Sequence, residues 1–208
     1  MIFATDAQMF YLYIRFMEQV LDIAKYFKKS SAALSLYASK DLPRIVGIEA
    51  LNHFKKSFDN GGFTDRSLKK WAESKRKQSS NEWYGFEYRA TTTIPNSHPR
   101  RADAKKKYKA RKTNPITNYS KAAIKRKTLN GYTGDLKESL YYSIEPNKVV
   151  VRSDLAYATI HNEGGTAQVF GKKSFTMPKR QFAGESETLD NIIAKIVGED
   201  IEKIMNNE

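Results

Sequence analysis

Two apolar stripes run side by side through the start of the chain. Phe10, Ile14, Met17, Leu21 and Ala24 recur at steps of four and three, and Tyr13, Phe16, Val20, Ile23 and Phe27 lie beside them. The spacing predicts a helix from Asp6 to about Lys29 whose apolar arc is wider than one seam, so it must be covered by the domain, another copy or a partner. A second helix is expected from about Leu42 to Phe58, opened by Ser39, Asp41 and Pro43, with Ile48, Leu51, Phe54 and Phe58 on one face. Asn60, Gly61 and Gly62 supply a left-handed stop. A third, short helix is predicted after Thr64, carrying Leu68 and Trp71. The last helix should run from roughly Ser186 to Met205 on a stripe of Leu189, Ile192, Ile193, Ile196, Val197, Ile201 and Ile204, weakened by ~1 kcal/mol at Gly198.

Elsewhere the period changes to two. In NEWYGFEYRATTTIP, Tyr84, Phe86, Tyr88, Ala90, Thr92 and Ile94 alternate with Trp83, Glu87 and Arg89, which predicts a half-buried strand packing an aromatic face into the core or a subunit interface. Aromatics beside basic residues could also stack on single-stranded nucleic acid, but the packed strand is the simpler account. Asp135 with Glu138 three residues on resembles a capping box, so a short helix should carry Leu136 and Leu140 inward. Tyr142–Glu145 and Lys148–Ser153 flank the turn dipeptide Pro146-Asn147 and predict an antiparallel hairpin. Two strands alone are marginal. A third is predicted at Tyr157–His161, ending at Gly164 and Gly165, and a fourth around Phe175–Met177 before Pro178. The fold class is therefore α+β: a small antiparallel sheet packed by long helices, with an N-terminal helical arm and a basic insertion.

The order of several short motifs in the last third resembles the phage virion morphogenesis family, the tail completion proteins of tailed bacteriophages. The matching residues are Thr133, Gly134, Leu136 and Ser139 in a turn and helix; Tyr157, Ala158, His161 and Gly164 at a strand end; then Pro178, Arg180, Phe182 and Gly184. LKKWAESK around Trp71 is similar to the family's tryptophan-bearing segment. The resemblance covers roughly Leu42 to Lys77 and Ala122 to Met205. It implies a virion protein, made in the bacterial host cytoplasm, that acts in tail completion or head–tail joining as copies around the tail axis. It attaches no chemistry and no cofactor, and it implies other phage tail or neck proteins as partners. Gly134, Leu136, Tyr157, His161, Gly164, Pro178, Arg180 and Phe182 become its structural motif residues. The organisation expected is an arm over 1–38 engaged with a neighbouring subunit and a domain over 39–208, with 78–121 as the basic insertion.

Composition narrows the picture. With 208 residues, 40% of them hydrophobic and 12% aromatic, the chain can bury a substantial core. Without cysteine it has no disulfide, thiol nucleophile or thiolate zinc site. No signal peptide is apparent, and Arg15, Glu18, Asp22 and Lys25 interrupt the first apolar stretch, against a membrane span. The net charge of +13 is local: residues 66–127 hold 19 Lys and Arg against 4 Asp and Glu, and the remainder 17 against 19. Its densest run contains Arg100, Arg101, Lys105, Lys106, Lys107, Lys109, Arg111 and Lys112. Contact with DNA or with an acidic neighbouring protein is one reading of this run, and a solvated loop without a fixed partner is the other.

Candidate catalytic groups are few. His161 and Glu163 spell H-x-E, but the thiolates of a zinc deaminase are missing, and His53, His98 and His161 share no metal-ligand spacing. His53 is expected on the polar side of its helix, His98 in a proline-flanked loop, and His161 at a strand end bonding the adjacent turn. Arg180 is read either as an interface anchor for a neighbour's carboxylate or as a solvated side chain, and Phe182 as a core plug. The reading is a non-enzymatic virion assembly protein that forms homo-oligomers. The alternative is a stand-alone nucleic-acid-binding protein using the basic 66–127 segment.

Overall fold

The computed structural model describes residues 31–87, 90–92, 94–95, 97–99, 118–169 and 173–206. The helix expected over Asp6–Lys29, most of the 1–38 arm and the Arg100–Lys112 run lie outside the described residues. The chain divides into two compact units, one made of Met1–Trp71 with Asp135–Glu208 and the other of Ala72–Gly134.

The first unit is organised by a helix longer than expected. Ser39 and Asp41 do not open it: α1 (Ser31–Leu36) runs through a π-helical stretch, Tyr37–Asp41, into α2 (Leu42–Asn60), and Asp41 makes no side-chain cap. Pro43 explains the wider turn. It has no N–H to donate, and its ring collides with the carbonyl four residues back in a regular helix. The chain relieves this by pairing Leu42 N–H with Tyr37 C=O, five residues back. Tyr37 is buried, and its hydroxyl donates to Asp200 Oδ2 at 3.1 Å. Burial, and then that carboxylate, push the phenol pKa well above its ordinary value.

The buried face of α2 is Leu42, Val46, Ala50, Phe54 and Phe58, stepping by four. The expected face was rotated: Phe54 and Phe58 belong to it, but Ile48 is exposed and Leu51 only half-buried. Gly47 decides the rotation, because the Tyr142 ring lies where its Cβ would be, 2.3 Å away. The helix ends at Gly61, left-handed at φ 64°, whose N–H reaches Ser57 C=O.

No helix follows Thr64. The chain instead forms an antiparallel ladder of β1 (Gly62–Thr64) and β2 (Leu68–Lys70). Gly62 permits it, since a Cβ there would stand 2.5 Å from Lys69 C=O. Phe63 is the buried anchor, its ring 6.4 Å from that of Phe54, while Leu68 faces outward.

After the single turn α4 (Asp135–Glu138) comes the expected hairpin of β3 (Leu140–Glu145) and β4 (Lys148–Ser153), with Asn147 at φ 60° in its turn. Leu136 and Leu140 are both buried, and α2 lies against the hairpin. The predicted third strand is a helix, α5 (Ala158–Glu163). Its buried residues, Ala158 and Asn162, are four apart and share a helical face. β5 (Gly165–Val169) and β6 (Lys173–Met177) form a third hairpin, ended by Pro178 as expected. Among the described residues, three separate two-stranded ladders thus replace one sheet, and the class remains α+β.

The last helix, α6 (Glu187–Asn206), packs on α2 through Leu189, Ile193 and Val197, a narrower stripe than predicted, with Ile192 exposed. Among the described residues no helix is long and apolar enough to cross a membrane.

In the second unit the strand expected over Trp83–Ile94 is absent among the described residues. Glu82–Gly85 is a turn, and Phe86 makes only an isolated bridge to Tyr119. Gly85 stands at φ 66°, where the Tyr119 ring lies 2.4 Å from the position of a Cβ, so the chain bends at the centre of the alternating run. Ile94 is buried, and the Tyr84, His98 and Tyr119 rings pack together with centroids 5.7 to 6.4 Å apart. His98 lies between Pro95 and Pro99 as expected and is buried, its Nε2 2.6 Å from Tyr84 C=O. Glu87 accepts from both terminal nitrogens of Arg126, at 2.8 and 3.1 Å, which holds its carboxyl below the usual range.

Candidate functional site

His161, Gly164, Arg180 and Phe182 meet at the segment between β6 and α6, and the residue that gathers them is one the sequence did not point to. Asn162, 1% exposed, uses its amide as a stand-in for backbone. Its Oδ1 accepts from Phe182 N–H at 2.8 Å and Ala183 N–H at 3.0 Å, while Nδ2 donates to Ala183 C=O at 3.1 Å and to Glu163 Oε1 at 2.5 Å. Two amides and a carbonyl of the segment beside α5 are therefore paired without a neighbouring strand. The sole hint was an asparagine just before Glu163 and two glycines; its burial became legible only once Ala158–Glu163 was known to be helical.

Gly164 closes α5 at φ 73°, with the backbone nitrogen of Lys179 only 2.7 Å from where a Cβ would stand. Gly164→Ala combines a left-handed conformation with a backbone collision, so the variant is expected to lose about 3 kcal/mol of stability. Chemical denaturation measures this; an unchanged midpoint would remove the close approach as the reason for glycine.

Arg180 N–H donates to His161 C=O at 2.9 Å, and its side chain is 7% exposed within the chain's own fold rather than solvated. Its guanidinium reaches Met177 Sδ at 3.7 Å, and burial lowers its pKa from the ordinary range. Phe182 is 0% exposed, as a core plug should be. Its ring meets Phe58 at 5.2 Å, Phe58 meets Trp71 edge-on at 5.6 Å, and Trp71 Nε1 donates to Gln181 C=O at 2.7 Å. Ser57 Oγ donates to Phe182 C=O at 3.2 Å. Leu136 is buried, Ser139 Oγ bonds Leu136 C=O and Ser153 Oγ, and Gly134 turns the chain at φ 78°. Pro178 is exposed, and Tyr157, 42% exposed, presents its ring edge-on to His161.

His161 lies in the last turn of α5, not at a strand end. Its Nδ1 is buried with no hydrogen-bond partner, and burial, with Arg180 nearby, holds the imidazole below its ordinary pKa. A lone imidazole without a base, carboxylate or second ligand is poorly equipped for proton transfer. His53 is not on a free polar face. It lies 2.9 Å from Thr64 C=O and 3.1 Å from Ser186 Oγ, whose oxygen also accepts from Leu189 N–H to cap α6, and burial depresses its pKa as well. Among the described residues no group of three or more potential ligands could hold a metal ion.

Both depressed histidines give stability the same pH dependence. The unfolded chain takes up protons from about pH 6.5 downward while the folded chain does not, so stability is full above that pH and falls below it towards the folded values. Unfolding free energies at pH 7.5 and 5.5 are expected to show the loss, and His53→Gln/His161→Gln to flatten it; a wild-type profile that is flat would contradict the assignment.

The Arg100–Lys112 candidates lie outside the described residues; among the described ones, Asn162, Trp71 and Ser57 hold the segment between β6 and α6 through its backbone. No curated protein and no solved structure matches the chain. The sequence pattern of the phage virion morphogenesis family matches residues 98–202. That span takes in α5, the Asn162 clamp, Phe182 and most of α6. It also includes the basic run that the motif resemblance left out, and it omits Leu42–Lys77. With half its length so matched, and with Tyr157, His161, Gly164, Arg180 and Phe182 joined in one local structure, the chain belongs to the phage virion morphogenesis family.

Proposed function

We propose that the chain is a virion component acting in tail completion or head–tail joining, as a homo-oligomer that contacts other tail or neck proteins. Family membership gives the coarser role, a structural part in phage assembly. The observation that carries the finer reading is how the motif residues are used. Asn162, Gly164 and Phe182 fix the segment between β6 and α6, and the β5–β6 hairpin projects exposed side chains including Phe175. A rigid base bearing an exposed arm suits docking to neighbours in a particle.

The test is genetic and visual. Deleting the gene from its phage or prophage and imaging the lysate is expected to show full heads and tails that fail to join, or tails with an unfinished end, restored by added purified chain. Infectious particles of normal form without this chain would defeat the reading. Sedimentation of the purified chain is expected to show a discrete oligomer.

A further inference from the structure

We infer that a lysine face in the Ala72–Gly134 unit binds the phosphate backbone of double-stranded DNA. The face is made by tertiary structure from two distant stretches: a 3-10 turn, Lys75–Lys77, and the short helix α3 (Lys121–Lys125), which precedes α4 in the chain. Arg76 fastens them. Its Nη2 donates to Lys127 C=O at 2.8 Å and Asn130 C=O at 3.0 Å, while Gly85 N–H reaches Arg76 C=O at 2.7 Å and Ser120 N–H reaches Gly85 C=O at 2.9 Å. The Ser120 side chain caps α3. Lys121 and Lys125 are one helical turn apart on the same face, and Lys75 stands on the turn packed against it; all three are exposed.

Charge balance keeps these ammoniums available. The unit holds 16 Lys and Arg against 4 Asp and Glu. Of those carboxylates, Glu73 is paired with Lys77 at 3.5 Å and Glu87 with Arg126 at 2.8 Å, and among the described residues none pairs with Lys75, Lys121 or Lys125. Arg126 lies over the Tyr132 ring, 5.5 Å from its centroid.

The composition of the face selects the partner. Protein interfaces bury apolar and aromatic anchors at their centres and are depleted in lysine. The exposed positions of α3 are Lys121, Ala122 and Lys125, which offer no such anchor. Phosphates require only mobile cations at suitable spacing, and backbone contact needs no base-reading fork of asparagine, glutamine or arginine. The partner is thus duplex DNA bound without sequence preference. This goes beyond the assembly reading and does not depend on it, since binding is measured on the isolated chain.

The experiment is fluorescence anisotropy of a random-sequence duplex of about 20 base pairs with the full chain between 50 and 200 mM NaCl. Three phosphate contacts give a log–log slope of about −2.7, hence at least about 40-fold weaker binding across that range. Lys75→Glu/Lys121→Glu/Lys125→Glu is expected to lose more than tenfold affinity at 50 mM salt and to show a slope shallower by about 2.7. Circular dichroism checks that it is folded, and the Lys→Gln triple variant reads the same slope with less charge reversal. Wild-type affinity and slope in both variants would overturn the inference. So would a chain that binds polyglutamate in preference to duplex DNA, which would make the partner an acidic protein.

Discussion

Asn162→Ala is expected to destabilise the chain by about 3–5 kcal/mol, because it strips three backbone groups of their partner at a position closed to water. Phe182 N–H, Ala183 N–H and Ala183 C=O would each lose their bond to the amide, at about 1–3 kcal/mol apiece before relaxation. Asn162→Leu, which keeps the volume and removes the hydrogen bonds, should be no better than alanine, and that comparison separates polar satisfaction from packing. Equilibrium urea unfolding measures both. A loss below about 1 kcal/mol in each would mean that the segment between β6 and α6 is held by something other than the amide.

Phe182→Ala is expected to cost about 3–5 kcal/mol, in the range for deleting a fully buried aromatic. The ring closes a stack with Phe58 and Trp71 that joins α2 and the chain after β2 to the segment before α6. A double-mutant cycle with Phe58→Ala should return a coupling of about 0.5–1.5 kcal/mol for the aromatic pair. Strict additivity would show that the two rings share a core without interacting specifically. Since Phe182 and Asn162 act on the same segment between β6 and α6, their joint loss should be less than the sum.

These residues differ in how far sequence exposed their roles. Phe182, a single aromatic in a polar proline-gated run, was readable as a core plug because little else there could fill one. Asn162 was hidden, since a polar residue that satisfies remote backbone has the composition of a surface residue. Gly164 was legible as a turn but not as the point where Lys179 N approaches. The histidines were misplaced for one shared reason: their burial comes from segments distant in sequence, Ser186 and Thr64 for His53, and the Arg180 strip for His161.

Sequence by itself determined the two long helices that bracket the core, the Pro146-Asn147 hairpin, the glycine stop at Gly61, the mixed α+β class and the family's motif order. All of these rest on local rules, helical or strand periodicity, turn chemistry and the left-handed freedom of glycine, which need only neighbouring residues to operate. Tertiary structure alone decided the rotation of α2 towards Tyr142 and the replacement of two predicted elements by the β1–β2 ladder and α5. It also placed the Lys75–Lys77 turn against α3. In each case the outcome depends on which distant surface is available to bury a face or pair a backbone group, and periodicity along the chain carries no information about that surface.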